Sequence, residues 1–385
     1  MKIKLLIVFG LFTLLSCNQN VSKRVLNDLN VLVDSVRARY VPDSRDDVFD
    51  IAVFRQDKKF VVKGVTSVAE AKADLINRLV VLRSDIFDCI RVLPDESLGD
   101  HLFGITNVSV ADLRTIPGYD AEMATQLLLG FSMQLLQTQQ GWYRVKTPEG
   151  YVAWIQQGTI IRMNNESFQQ WEDAPKVIFT DNYGFAYETP EANHQHVSDL
   201  VFGNLLKWES DNGQFYRVSY PDGRQAYLLK SQSRIFRDWQ ASIGLTEESI
   251  VEKALELKGI PYSWGGTSVK AMDCSGFAKT VYLKHGIVLK RDASQQAKTG
   301  IPVDISNGYD LLRPGELLFF GKNRVRHVAI YIGNKEFIHA AGYVRINSLD
   351  PAQPNYDEVN TKELICARRI LGAVDMEGIW EWNDN

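Results

Sequence analysis

In Met272-Asp273-Cys274-Ser275-Gly276-Phe277 a cysteine stands where a helix should begin. Upstream, Pro261-Tyr262-Ser263-Trp264-Gly265-Gly266 reads as a loop. Downstream, Phe277, Val281 and the adjoining Tyr282 recur at helical spacing, and Gly286 is a stop signal. Cys274 is therefore expected in the first turn, its sulfur near unpaired backbone N–H groups and the positive end of the helix dipole. That setting favours thiolate over thiol, and thiolate is the nucleophile. The two glycines before it let the backbone turn tightly and leave one side open.

A thiolate needs a base. Arg326-His327-Val328-Ala329-Ile330-Tyr331-Ile332 is rich in β-branched and aromatic residues and reads as a strand. Gly333-Asn334 is a turn signal, and Lys335-Glu336-Phe337-Ile338-His339-Ala340 reads as the returning strand. A hairpin centred there puts His327 and His339 nearly opposite each other. One imidazole can take the thiol proton while the other orients it.

These segments resemble the NlpC family of bacterial cell-wall cysteine peptidases, which have a papain-like core. The resemblance rests on Tyr262 to Gly266, Asp273 to Phe277, Arg291-Asp292-Ala293-Ser294-Gln295-Gln296, Leu312-Arg313-Pro314-Gly315-Glu316-Leu317, His327 to Gly333, and Ile338-His339-Ala340, in the family's order over roughly residues 245–372. It implies Cys274 as nucleophile, His327 as base and His339 as orienting residue. Family members often carry Asp where Glu316 stands, a structural position. The resemblance also makes Tyr262 and Trp264 pocket walls, with Tyr262 near the oxyanion. It makes Asp292 a partner for a substrate ammonium group. Ser275 offers a backbone N–H beside the nucleophile. Without the resemblance, Tyr262 and Trp264 would be core aromatics and Asp292 a helix cap.

The chain has 385 residues, 45% of them hydrophobic, and a net charge of −4. This fits several globular domains and gives no nucleic-acid footprint. Four cysteines are too few for a disulfide framework. Residues 1–16 hold two lysines and an apolar run, Leu5 to Leu15, too short to span a bilayer and read as a secretory signal. Leu14-Leu15-Ser16-Cys17 looks like a bacterial lipoprotein box, so Cys17 is expected to carry lipid and tether the protein to a membrane surface. Asn18-Gln19-Asn20-Val21-Ser22-Lys23 lacks acidic residues, which favours a periplasm-facing anchor in the cell envelope.

Residues 17–107 read as a small α+β region without a chemical motif. Val25, Leu29, Leu32, Val33 and Val36 suggest a helix, Val48 to Phe54 and Phe60 to Val65 a hairpin, and Ser67 a cap for a helix through Leu82. Cys89, beside Phe87 and Ile90, is expected to be a buried inert thiol, and His101 a surface residue. An internal repeat follows. Trp142-Tyr143-Arg144-Val145-Lys146-Thr147-Pro148-Glu149-Gly150-Tyr151 aligns with Phe215-Tyr216-Arg217-Val218-Ser219-Tyr220-Pro221-Asp222-Gly223-Arg224. Each copy reads as strand, Pro-acid-Gly turn, strand, and the alternation suggests small β-barrels. The pattern resembles bacterial SH3-like domains, placed at 108–163 and 164–240, ahead of the α+β catalytic domain at 241–385.

Two SH3-like modules before an NlpC-type core match a subgroup that cuts free, N-terminally unblocked wall peptides at the bond from γ-D-Glu to a diamino acid. In that subgroup an acidic residue and a tyrosine of the first module read the substrate's amine. By position these are Glu122 and Tyr151; the competing readings are a solvated loop charge and barrel packing. His194 and His196 lack a supporting ligand cluster, so no metal is expected, and no cofactor either. The expected partner is a peptidoglycan-derived peptide, and the expected state a monomer. The alternatives are an endopeptidase acting on intact peptidoglycan and an inactive wall-binding module. Cys366, between Ile365 and Ala367, reads as core.

Overall fold

The computed structural model describes residues 7–385 except positions 58, 192–194, 375 and 383–385, with side chains from position 24 onward. His194, residues 1–6 and the side chain of Cys17 lie outside the described residues. The chain divides into two compact units, Met1–Leu98 and Gly99–Asn385.

In the first unit the amphipathic spacing becomes one long helix, Ile7–Tyr40, with Leu29, Val33 and Val36 buried at helical intervals. The hairpin forms from Phe49–Gln56 and Lys59–Thr66. A third strand, Ile86–Val92, runs parallel to Lys59–Thr66. Parallel pairing needs a long crossover, and the helix Ala69–Leu82 supplies it, with Ala71, Leu75 and Leu79 facing the core. Two local expectations fail. Ser67 does not cap this helix: Val68 is the N-cap and makes no side-chain cap bond. The Ser67 hydroxyl accepts from Val48 N–H at 2.9 Å and donates to Asp47, so its bonding is spent at the hairpin base. Cys89 is exposed, because strand alternation turns Ile90 inward and Cys89 outward.

The second unit carries two seven-stranded sheets of antiparallel strands and a six-stranded one. The first barrel pairs Ile160–Met163 with Phe103–Thr106, then continues through Ser132–Gln139, Trp142–Lys146, Val152–Gln156 and Val110–Arg114 to Met123–Leu128. Its strand Phe103–Thr106 precedes the window read from the sequence. The second barrel runs from His196–Val201 to Ser233–Ile235 in a matching arrangement. The repeat is visible at the turns. Gly150 N–H donates to Thr147 at 2.9 Å, and Gly223 N–H donates to Tyr220 at 3.0 Å. Both glycines sit in the left-handed region, at φ 84° and 87°, where a side chain would be strained. His196 stacks on Phe185 with ring centroids 3.9 Å apart.

The remainder of the second unit sets the helix Cys274–Leu283 against an antiparallel sheet. Its strand order is Ile301–Val303, Leu364–Arg369, Leu317–Phe320, His327–Gly333, Glu336–Ala341, Tyr343–Ser348. Phe277 and Val281 share a core with Leu317, Phe319, Val328, Ile330 and Ile338. The helix is buried on every side, not along one face. Glu316 is buried and holds Arg369 and the Arg313 N–H, a structural role. Cys366 is partly buried, packed against the core from its edge.

Candidate active site

Asp273 organises the helix start. As N-cap it accepts from Gly276 N–H at 2.7 Å and from Gly265 N–H at 3.0 Å, so one carboxylate ties the loop to the first turn. Arg291, almost fully buried, pairs with it at 2.6 Å and donates to the Ser275 hydroxyl at 2.8 Å. The Ser275 side chain is thus committed to this network. Arg291 also reaches the first barrel, donating to Thr125 Oγ1 at 3.0 Å. Gly265 shows how near that barrel comes. A Cβ there would lie 2.5 Å from the Met123 carbonyl, so any other residue would push the barrel away.

Cys274 follows Asp273 and is 7% exposed. Burial pushes its thiol up to about 12; the Asp273 carboxylate adds to this, while N–H groups of Val328 and Ser275 work against it. Val328 is the neighbour of His327, so the sulfur faces the histidine strand. The thiolate expected from the helix start is therefore not the resting form: desolvation outweighs the helix end. The histidines agree. Desolvation lowers His327 to about 3, helped by His339, and lowers His339 to about 4 despite the Asn347 hydrogen bond.

The histidine relay has one consistent set of protons. Asn347 Nδ2 donates to the Asn355 carbonyl at 2.9 Å, which fixes Asn347 Oδ1 toward His339 Nε2 at 3.0 Å. That nitrogen must then carry hydrogen. His339 Nδ1 is left as acceptor for His327 Nε2–H, 2.7 Å away. The proton-free nitrogen of His327 is Nδ1, the one a base needs. The strand register pairs Ile330 with Ile338, so the two histidines sit diagonally rather than opposite.

The other expected residues lie around this centre. Tyr262 is half buried, and burial together with the nearby Cys274 raises its phenol. Trp264 is 58% exposed, on the surface of the loop rather than a closed wall. Asp292 does cap the short helix Ala293–Gln296, and its Oδ2 also accepts from the Tyr151 hydroxyl at 3.4 Å. Tyr151 itself is buried in the first barrel. The structure thus shows the cap reading of Asp292 and the packing reading of Tyr151, and brings the two side chains together. Glu122 is exposed, one residue before the Met123 that touches Gly265. His101 is exposed beside Asp100.

Residues 259–369 match the NlpC/P60 family, and residues 113–159 match the bacterial dipeptidyl-peptidase Sh3 domain. A gamma-D-glutamyl-L-lysine dipeptidyl-peptidase from Bacillus cereus is 30% identical over 65% of this chain and 76% of its own. This chain belongs to the NlpC/P60 family. The dipeptidyl-peptidase 6 of Lysinibacillus sphaericus is 27% identical over 64% of this chain and 92% of its own. The crystal structure of an NlpC/P60 family protein from Bacillus cereus superposes with a TM-score of 0.59 at 27% identity, covering 69% of this chain and 99% of that one.

The NlpC/P60 membership makes the chain a cysteine peptidase, and the geometry adds residues that sequence reasoning passed over. Asn347, Arg291 and Thr125 brace the centre. Glu149 of the first barrel's turn pairs with Lys279 on the helix that begins at Cys274, and both are buried. Arg291 and Glu149 stand inside motifs quoted from the sequence. Their partners, though, are 166 and 130 positions away, and no local pattern connects them.

Proposed function

We propose that this peptidase cuts the bond between γ-D-glutamate and a diamino acid in peptidoglycan stem peptides whose L-Ala amine is free. Cys274 is the nucleophile, His327 the base and His339 its orienting residue. The thiol proton moves to His327 Nδ1 as the sulfur attacks the γ-carbonyl. Backbone N–H groups at the helix start face the oxyanion. The imidazolium returns the proton to the leaving amine, and water then hydrolyses the thioester. Starting from a neutral pair, the proton shifts during attack and no buried ion pair has to be held beforehand.

The observation that carries the substrate reading is the Tyr151–Asp292 contact, made by the first barrel on the catalytic domain. An ammonium group there meets a carboxylate and a phenol oxygen. An acylated amine carries no charge and needs room where the barrel closes in. The Bacillus cereus relative is named for the γ-D-glutamyl-L-lysine bond, which supports the same choice. The test is L-Ala-γ-D-Glu-L-Lys beside its N-acetylated form. Acetylation is expected to lower kcat/KM by on the order of 100-fold or more, the loss of a charge-assisted site. Equal turnover would sink the amine reading and favour intact wall as substrate.

The reading includes a lipid at Cys17 and a periplasm-facing anchor in the envelope. Its support is the apolar run Leu5 to Leu15 ending in Leu14-Leu15-Ser16-Cys17. Radiolabelled palmitate is expected in the wild-type protein and not in Cys17→Ser. An unlabelled wild type defeats the anchor.

A further inference from the structure

The reaction leaves a diamino acid, and the strand Tyr343–Ser348 holds an arginine placed to recognise it. Arg345 pairs directly with His339 in the antiparallel register, so the two side chains share a face. Asn347, the next residue on that face, touches His339, which confirms the orientation. The guanidinium lies over the Tyr343 ring at 5.7 Å, and Tyr343 is half exposed. Tyr343 in turn bridges to Pro261, at the start of the loop that carries Tyr262. Arg345 therefore lines the opening between the histidines and that loop.

Among the described residues this guanidinium has no ion-pair partner, and its Nε is buried without a hydrogen bond. The residue is part-buried, so one N–H is shut off from water and unpaired while the rest of the fork stays open to a ligand. The Asp357 carboxylate, which acts on His339, is spent on the backbone and side chain of Asn360, at 3.0 and 2.7 Å. A cation also works against the histidines, since Arg345 disfavours the imidazolium of both. In a thiol peptidase that is a cost to the base unless an anion arrives with the substrate.

The direction of the chemistry says which part of the substrate arrives there. His327 must protonate the departing amine, so the leaving residue lies on the histidine side of the sulfur. The Tyr151–Asp292 pair lies toward Arg291 and Ser275, on the acyl side. We propose that Arg345 binds a carboxylate of the departing diamino acid, pairing with it through its unpartnered guanidinium. This rests on the function proposed above. Two carboxylates could supply the anion: the α-carboxylate of a C-terminal residue, or the side-chain carboxylate of diaminopimelate. Binding it would also screen Arg345 from the histidines and make the base stronger when substrate is present.

The test uses the full chain with L-Ala-γ-D-Glu-L-Lys, its C-terminal amide and the meso-diaminopimelate tripeptide. Arg345→Gln is expected to lower kcat/KM on the acid-bearing peptides roughly ten- to hundredfold, chiefly through KM, the usual size of a lost charge-assisted pair. On a peptide without the recognised carboxylate the change is expected to stay within about threefold. Arg345→Lys should restore part of the loss, because the charge returns without the fork. If the α-carboxylate is read, amidation alone reproduces the loss in the wild type. If the side-chain carboxylate is read, the wild type prefers the diaminopimelate peptide and Arg345→Gln erases that preference. Either result supports the assignment. An equal fall on acid and amide peptides, or no fall on any, overturns it. A wild type that cleaves none of the three overturns the proposed function instead.

Discussion

Cys274→Ala is expected to lower kcat by on the order of 10⁴-fold or more while leaving the fold in place. The two halves of that result have separate causes. Activity falls because, in the proposed mechanism, the sulfur is the atom that bonds to the acyl carbon, and no described residue near the helix start can replace it. Ser275 is next in sequence, but its hydroxyl is held by Asp273 and Arg291 at 3.1 and 2.8 Å. Stability survives because the helix is capped by Asp273 and not by Cys274. Alanine is also the better helix former, which offsets part of the small void left by the sulfur. The measurement is single-turnover cleavage of L-Ala-γ-D-Glu-L-Lys together with a urea midpoint. A variant with a tenth of wild-type activity would remove Cys274 from the chemistry. His327→Gln should show a comparable loss, since nucleophile and base act as a unit and their effects do not add.

What could be read from the sequence divides along physical lines. The place of Cys274 at a helix start and the meeting of His327 with His339 were legible because period-two strands, a glycine turn and a helix start are all local signals. The repeat was legible for the same reason: Thr147 to Tyr151 and Tyr220 to Arg224 close the same turn with the same bonds. Charge state was not legible. The helix start argued for a thiolate, but Cys274 is buried beside the histidine strand, and burial decides. Cys89 shows the limit of composition. Phe87 and Ile90 made it look enclosed, yet those two residues point to opposite faces, and Cys89 follows Phe87 outward. Ser67 shows a contest between local bonds, won by the hairpin base over the helix cap. Above all, the barrel's docking was hidden. Which edge of an SH3-like fold meets which helix depends on side chains more than a hundred positions apart.

Glu149→Ala is expected to destabilise the second unit by about 3 kcal/mol or more, the usual cost of leaving one member of a buried ion pair behind. Glu149 lies in the turn between strands Trp142–Lys146 and Val152–Gln156, and its carboxylate meets Lys279 on the helix of Cys274. Desolvation opposes the charged carboxylate, but Lys279 and neighbouring hydrogen bonds outweigh it, so the acid stays ionised. The same turn lets Lys290 reach the Glu149 carbonyl at 3.3 Å and sends Tyr151 to Asp292. Removing the carboxylate strands a buried ammonium group on the helix that begins at Cys274. A cavity of about 160 Å³ lined by Leu128, Phe131, Leu283 and Trp382 adjoins the pair, and water entering it would hold the cost near the lower figure. Replacing both partners, Glu149→Ala with Lys279→Met, should return a large part of the stability, because no charge is then left unpaired. It should not return the discrimination between free and acetylated peptides, since the turn that aims Tyr151 has lost its anchor. A double-mutant cycle read by urea midpoint and by that substrate ratio separates the two effects. A single variant within about 1 kcal/mol of wild type would place the pair among surface-like bridges, and the barrel would then be held by the Arg291–Thr125 bond and its apolar contacts.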